Sequence, residues 1–542
     1  MDVENLKKDS LFKGTALLSI SLLLTKILGA VYLIPFYQII GGEEQMALFN
    51  YGYSYYVTIL EISSAGTPLA IAKLVAKYNA LGAYDVSKRI VKLGSILLII
   101  MGVIGFSVLF FGSGYISEQI LISSQQKFTP TDGALVLKSL SFAIPIVLVS
   151  AGVRGLFQGH EIMLPSAISQ FIEQVMRIVF MLVATYIVIK ILNQGIVIGN
   201  VAATFSATIG AIFSVLTLVY FYKKYSGGLE YNTKTNLVEL NISTKDLVKE
   251  FFSVSIPFIF IVGLFPILNI IDQHNFIHGM TILGKADIVD GRFSALQLVN
   301  KVVMIAVAIA PAFSSTFLPS ITRLYAKGEK EGVSNQINKV ILSLMMIVLP
   351  ALVGMYILAD PLYATFYSRS IINAELLRFY LPLAVLFSLY SLTSVIMQAV
   401  NRQVINLVTI AVGFAVKYFT ITPFVIRFET NGVILSSIST YVVMILINVV
   451  VINLEVRLKA KEFVGKFLIL ICSCFIMFIV VAAVYSAIIQ NFTLESKLSS
   501  MILMVICAVI GASTYFYCVT KMKFVKYLFG KNISLKSLRR IR

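Results

Sequence analysis

The sequence predicts an all-α, polytopic membrane protein with about fourteen transmembrane helices. Of its 542 residues, 58% are hydrophobic and only 13% charged, and the mean hydropathy is +0.90. A soluble globular chain carries roughly 25% charged residues, so a bilayer rather than one buried core accounts for this composition. Apolar windows of about 20 residues, the length that crosses hydrocarbon as a helix, recur along the whole chain. Basic residues cluster between the windows in an alternating pattern, as the positive-inside rule requires.

The first window, 14–40, follows Lys7, Lys8 and Lys13. It is too long for the apolar region of a cleavable signal, so it is expected to remain as the first span. The others lie near 48–72, 90–112, 135–158, 164–189, 198–222, 247–276, 295–322, 338–358, 376–399, 404–426, 432–456, 466–489 and 498–519. The short gaps at 159–163 and 400–403 read as tight turns between antiparallel helices. An even number of spans puts both termini on one face. Lys73, Lys77, Lys88, Arg89 and Lys92, the 223–249 loop, Arg323 to Lys339, Arg402, Arg457 to Lys466 and the basic tail all fall on the terminal side. Glu43, Glu44, Glu118, Asp132, Asp287 and Asp290 fall on the other. Both termini are therefore expected in the cytosol of a bacterial cell, with the chain multi-pass in the plasma membrane. Trp is absent, which leaves the 26 Tyr to occupy the membrane interfaces.

Two halves echo each other. Lys73-Leu-Val-Ala-Lys77 with Gly82 matches Arg323-Leu-Tyr-Ala-Lys327 with Gly332, while Gln158 and Arg177 match Gln398 and Lys417. The order of the matches predicts two six-helix lobes related as parallel repeats. Accordingly, residues 1–222 are expected to form the first lobe, 223–246 a cytosolic linker and 247–460 the second lobe. Residues 461–520 supply two additional C-terminal helices, and 521–542 a basic cytosolic tail.

Several function classes are excluded. A net charge of +18 would suit nucleic acid on one continuous face, but these cations are dispersed between apolar runs and suit anionic membrane lipids. Cys472, Cys474, Cys507 and Cys518 lie in apolar runs at no metal or haem spacing. There is no phosphate-cradling G-x-x-x-x-G-K-[ST] loop. No cofactor, metal or catalytic residue is expected, and the chain reads as a transporter rather than an enzyme. Prolines within the spans, such as Pro68, Pro145, Pro350 and Pro382, fit helices bent around a central cavity.

The candidate functional residues are charges inside the apolar windows, each costing at least about 2.5 kcal/mol in mid-bilayer. The cations are Lys26, Arg154, Arg177, Lys301 and Lys417; the acids are Glu61, Glu173 and Asp272. Glu173 and Arg177 stand four apart on one helix face, at pairing distance. Arg154 lies near the inner end of its span, where it can snorkel to head groups. Lys26 lies mid-span, where it cannot easily do so, and Lys301 lies early in its span; two such lone cations suit an anionic substrate such as a pyrophosphate. Asp272 with His274 and His278 could be drawn as a metal site, but two histidines on a wet helix end are ordinarily just polar.

Arg154-Gly-Leu-Phe-Gln158-Gly159, Pro165-Ser-Ala-Ile-Ser-Gln170, Glu173-Gln174 and Arg177 together resemble the signature of the SpoVB/YtgP branch of polysaccharide exporters. That branch lies in the multidrug/oligosaccharidyl-lipid/polysaccharide (MOP) flippase superfamily and includes MurJ-type lipid II flippases. Leu318-Pro-Ser-Ile-Thr-Arg323 and Asn269-Ile-Ile-Asp272 are similar too. The resemblance implies two six-helix lobes that open alternately, a cationic cavity for the pyrophosphate of an undecaprenyl-linked sugar, and a groove for the lipid tail on the two additional helices. It implies that Lys26 and Lys301 bind the pyrophosphate, with Arg154 guiding it in, and that cell-wall synthesis or division machinery is a partner. Where some relatives carry further cations, this chain has Val31-Tyr32 and Tyr53-Ser-Tyr-Tyr56. Where some bind sodium it carries Lys417, so Asp272 and Lys417 are expected to serve coupling, with Glu61, Glu173 and Arg177 in gating. The alternatives are a cation-coupled multidrug exporter of the same superfamily, an exporter of teichoic acid or capsule precursors, a membrane enzyme acting on lipid-linked sugars, or a non-transporting scaffold.

Overall fold

The computed structural model describes residues 31–64, 66–123, 125–234, 242–307, 320–491 and 496–529, with 21, 24, 25, 28, 29, 238 and 240. Among them lie nineteen α-helices and no strand. Eleven stretches are long and apolar enough to cross a membrane, and each overlies one of the windows. A further window, 247–276, falls within one continuous helix, Thr244–Ile282. The windows at 14–40 and 295–322 extend outside the described residues.

The chain divides into two compact units. The first holds the described residues up to Ser294 together with Ile421–Glu429. It contains α1 (Leu33–Ile40), α2 (Ala47–Ser64), α3 (Thr67–Ala80), α4 (Tyr84–Phe111), α5 (Ser113–Ile120), α6 (Pro130–Ser141), α7 (Ala143–Gly159), α8 (Leu164–Tyr186), α9 (Gly195–Lys234) and α10 (Thr244–Ile282). The break between α2 and α3 has a steric cause. Gly66 has φ +80°, and a Cβ there would sit 2.3 Å from the Ser255 carbonyl oxygen on α10. Pro68 then occupies the first turn of α3. Pro145 accounts for the bend between α6 and α7, because it has no N–H to donate to the preceding turn's carbonyl and its ring crowds that oxygen. Thr129 and Asp132 cap α6 reciprocally, and Ser243 caps α10.

One end of this unit closes on a buried acid. Asp290 is 1% exposed and accepts hydrogen bonds from Tyr51 Oη (2.7 Å), Gln126 Nε2 (3.0 Å) and the Lys127 backbone amide (3.1 Å). The sequence placed Asp290 on the side opposite the termini and left its burial unread. A charge count assigns a side of the membrane but is blind to three donors converging from α2 and the loop before α6.

The second unit holds Ala295–Thr420 and the described residues from Thr430 onward. It contains most of α11 (Val289–Val307), then α12 (Lys330–Ile357), α13 (Ala359–Phe366), α14 (Ile371–Ala399), most of α15 (Gln403–Phe428), α16 (Thr430–Val456), α17 (Ala460–Asn491), α18 (Lys497–Lys521) and α19 (Phe524–Phe529). Pro350 and Pro382 lie inside α12 and α14.

The two predicted tight turns have the same construction. After α7, Glu161 has φ +62° and the Ile162 amide donates to the Phe157 carbonyl at 2.9 Å. After α14, Asn401 has φ +57° and the Arg402 amide donates to the Met397 carbonyl at 2.8 Å. Both are helix C-caps with a left-handed residue.

Candidate functional site

In the first unit, α7, α8 and α9 meet around Arg154, the residue expected to snorkel. Its guanidinium turns inward instead. One terminal nitrogen lies 2.5 Å from Glu173 Oε2 and 2.6 Å from Ser214 Oγ, and Nε donates to Ser169 Oγ at 3.0 Å. The physical reason is availability: a carboxylate and two hydroxyls lie within reach inside the lobe, so the cation need not climb to a head group.

Glu173 therefore pairs with Arg154 on the neighbouring helix, not with Arg177 one turn along its own. Arg177 donates to Gln174 Oε1 and, at 3.2 Å, to Tyr53 Oη. Tyr53 is itself stacked on Phe49, with ring centroids 5.4 Å apart. The Tyr53-to-Tyr56 stretch lacks a cation of its own, but its phenol receives one from α8. Glu61 is half-buried on α2 and takes no part in these hydrogen bonds.

Asp272 is buried on α10 beside Gln273, which is wholly inaccessible. His274 and His278 are exposed. At 100° per residue they lie about 120–160° round the helix from Asp272, so the three do not converge. Among the described residues no group of His, Cys, Asp or Glu is arranged to hold a metal ion. Asp272 belongs to the first unit and Lys417 to the second.

In the second unit Lys417 is fully buried on α15, its Nζ donating to Ser437 Oγ of α16 at 2.5 Å. One turn on, Thr420 and Ser436 share a hydrogen bond of 2.8 Å. Asn406 Nδ2 donates to Ser394 Oγ at 2.7 Å between α15 and α14. Lys301 is half-buried on α11 of this unit. Lys26 lies outside the described residues.

The sequence reading missed Ser214, Ser437 and Ser436, because a serine inside an apolar run is too common to mark a contact. Ser169 and Gln174 were visible in the motif but had no assigned role.

The second unit also carries a groove of about 1380 Å³ between α12, α17 and α18. Pro350 and Gly354 of α12, Met477 and Val481 of α17, and Ala508, Gly511 and Ala512 of α18 line it. Small residues on α18 hollow out one wall, and the others are almost wholly apolar. Along most of its length the trough suits apolar surface, and Lys521 and Lys523 lie at one end of it.

A family model described as polysaccharide biosynthesis protein matches residues 11–325. The lipid II flippase MurJ of Bacillus subtilis (strain 168) is 32% identical over 532 residues, covering 96% of this chain and 97% of that protein. Among solved structures, lipid II flippase MurJ in an inward closed conformation aligns with a TM-score of 0.66 at 14% identity, covering 94% of this chain and 99% of that one. An inward-facing multidrug resistance MATE family transporter aligns with a TM-score of 0.61 at 14% identity, covering 80% of this chain and 95% of that one. The chain is a multi-pass membrane protein with the fold of MOP superfamily transporters, and it belongs to the polysaccharide biosynthesis protein family.

Proposed function

We propose that this protein is a flippase that carries lipid II, or a closely related undecaprenyl-pyrophosphate-linked sugar, across the bacterial plasma membrane by alternating access. The observation that carries the reading is the apolar groove of about 1380 Å³ on α12, α17 and α18. A lipid-linked sugar has a long hydrocarbon tail to shelter while its head group crosses; a drug has none. The fold comparison points the same way, with 94% of the chain matched by the lipid II flippase and 80% by the multidrug transporter.

Two repeated six-helix lobes, 1–222 and 247–460, alternate in access, with both termini in the cytosol. Lys26 and Lys301 hold the pyrophosphate. Arg154 guides it inward by exchanging the Glu173 carboxylate for a phosphate, an anion of like geometry. Glu61, Glu173 and Arg177 take part in gating. Asp272 and Lys417 bias the inward and outward states, so transport follows protons or the membrane potential, with each charge moved worth about 2.3 kcal/mol per 100 mV. Transport that runs on a sodium gradient and no other ion would overturn that coupling scheme. Cell-wall synthesis or division proteins are the partners of this activity.

The test is depletion in the host with labelling of lipid II on the outer surface against the total pool. The outer fraction should fall, wild type should restore it, and Lys26→Ala should not. An unchanged outer fraction redirects the same assay to teichoic acid and capsule precursors. The MATE-like fold keeps a drug exporter as the second reading; drug accumulation that rises on depletion would favour it.

A further inference from the structure

The groove has a basic end. Lys521 and Lys523 line it where α18 finishes. Lys339 stands two turns before Met346 on the groove side of α12, and Lys466 three turns before Met477 on that of α17. Their ammonium groups lie 6.0 Å and 4.8 Å from the Tyr527 ring centroid on α19. Tyr527 hydrogen-bonds Glu462, and burial with that carboxylate raises its phenol above the ordinary range, so the ring stays neutral beside the lysines. Two cations thus line one end of a largely apolar trough, and two more, on α12 and α17, flank Tyr527 on the helix that follows Lys523.

The length of the trough selects its occupant. Along α18 the lining runs from Met504 to Lys521, roughly 26 Å at 1.5 Å per residue. That is close to the full ~30 Å hydrocarbon thickness, about twice what one leaflet offers an ordinary acyl chain. A groove of this reach with a cationic mouth fits a long isoprenoid tail ending in phosphate.

Resting on the flippase reading, we infer that Lys339, Lys466, Lys521 and Lys523 form a loading site that takes the pyrophosphate of a polyprenyl lipid at the inner face while its tail occupies the groove. It is separate from the transport cations Lys26 and Lys301. The substrate docks here first, tail before head.

The experiment is native mass spectrometry of the full-length protein in detergent with undecaprenyl pyrophosphate as the probe. Wild type should bind it and should bind undecaprenol, geranyl pyrophosphate and phosphatidylglycerol more weakly. K521E/K523E should lose about tenfold in affinity, two surface charges reversed. K521R/K523R should keep it and shows that the site tolerates substitution. Ala512→Phe, on an exposed face of α18 inside the groove, should lose undecaprenyl pyrophosphate and retain geranyl pyrophosphate. The inference is overturned if phosphatidylglycerol displaces the probe one for one, if undecaprenol binds equally well, if charge reversal changes nothing, or if Ala512→Phe affects both pyrophosphates alike. None of these probes carries a sugar, so binding with no change in any outer lipid-linked sugar on depletion would sink the flippase reading while leaving the loading site standing.

Discussion

Removing the Glu173 carboxylate tests whether the inner core of the first unit is an ion pair or a set of neutral hydrogen bonds. Arg154 is 12% exposed at its side chain and Glu173 23%, with 2.5 Å between them. Taking one partner from a buried pair costs about 3–5 kcal/mol, because the remaining charge stays desolvated. Here the guanidinium keeps Ser169 and Ser214, each worth about 1 kcal/mol across membrane helices. The loss from Glu173→Ala should therefore sit at the low end, about 3 kcal/mol. Glu173→Gln, which still accepts a hydrogen bond, should lose less. Arg154→Met with Glu173→Ala removes both charges and should return to within about 1 kcal/mol of wild type. Unfolding in mixed lipid and detergent, followed by circular dichroism, measures all five proteins, the single Arg154→Met variant included. A loss below about 1 kcal/mol for Glu173→Ala, or a double variant as unstable as the sum of its parts, refutes the ion pair.

Asp290→Ala strands the donors of Tyr51, Gln126 and Lys127 and should cost about 3 kcal/mol; limited proteolysis near 121–129 should rise with it, and unchanged cleavage would contradict a role for Asp290 in holding that loop. Gly66→Ala puts a methyl 2.3 Å from the Ser255 carbonyl oxygen and should abolish stable expression. Gly284→Ala, also at positive φ (+70°) but with nothing within 4 Å, should cost only about 1 kcal/mol by thermal melting. Lys417→Met preserves the volume of a fully buried side chain and removes its charge and its hydrogen bond to Ser437; the Ser437 hydroxyl keeps its own bond to the Val433 carbonyl, so the fold should survive. Outer-surface lipid II should nevertheless fall, and normal labelling would remove Lys417 from the coupling scheme.

Helices were legible because hydrocarbon permits little else: every backbone polar group must be satisfied within its own segment, so an apolar window of the right length becomes a helix. Both tight turns were legible for the same reason, since 159–163 and 400–403 are too short for anything but a capped reversal. Partners were not. The i,i+4 rule inspects one helix at a time and so offered Arg177 to Glu173. The true partner lies on the preceding helix, brought alongside by the turn at Glu161. Likewise Tyr53 read as a missing cation, whereas its hydroxyl accepts a hydrogen bond from Arg177 on another helix.

The correspondence between halves extends well past the residues that first suggested it. The interval that takes Arg177 to Lys417 also takes Glu161 to Asn401, both left-handed, and Arg154 and Ser166 to Ser394 and Asn406. Each of these last pairs is joined across the turn: Ser166 Oγ donates to the Arg154 carbonyl at 3.4 Å, and Asn406 Nδ2 to Ser394 Oγ at 2.7 Å. The same interval takes Glu173 to Gly413, where Met444 Sδ occupies the space a side chain would need, 2.3 Å from an ideal Cβ. The second unit thus keeps the turn and the buried cation but holds an amide, a hydroxyl and a thioether where the first holds an ion pair. The two halves thus share a backbone plan at this turn, and charge was kept at its core in one and lost from the matching positions in the other, which is why the internal repeat is faint in the sequence and plain in the turn geometry.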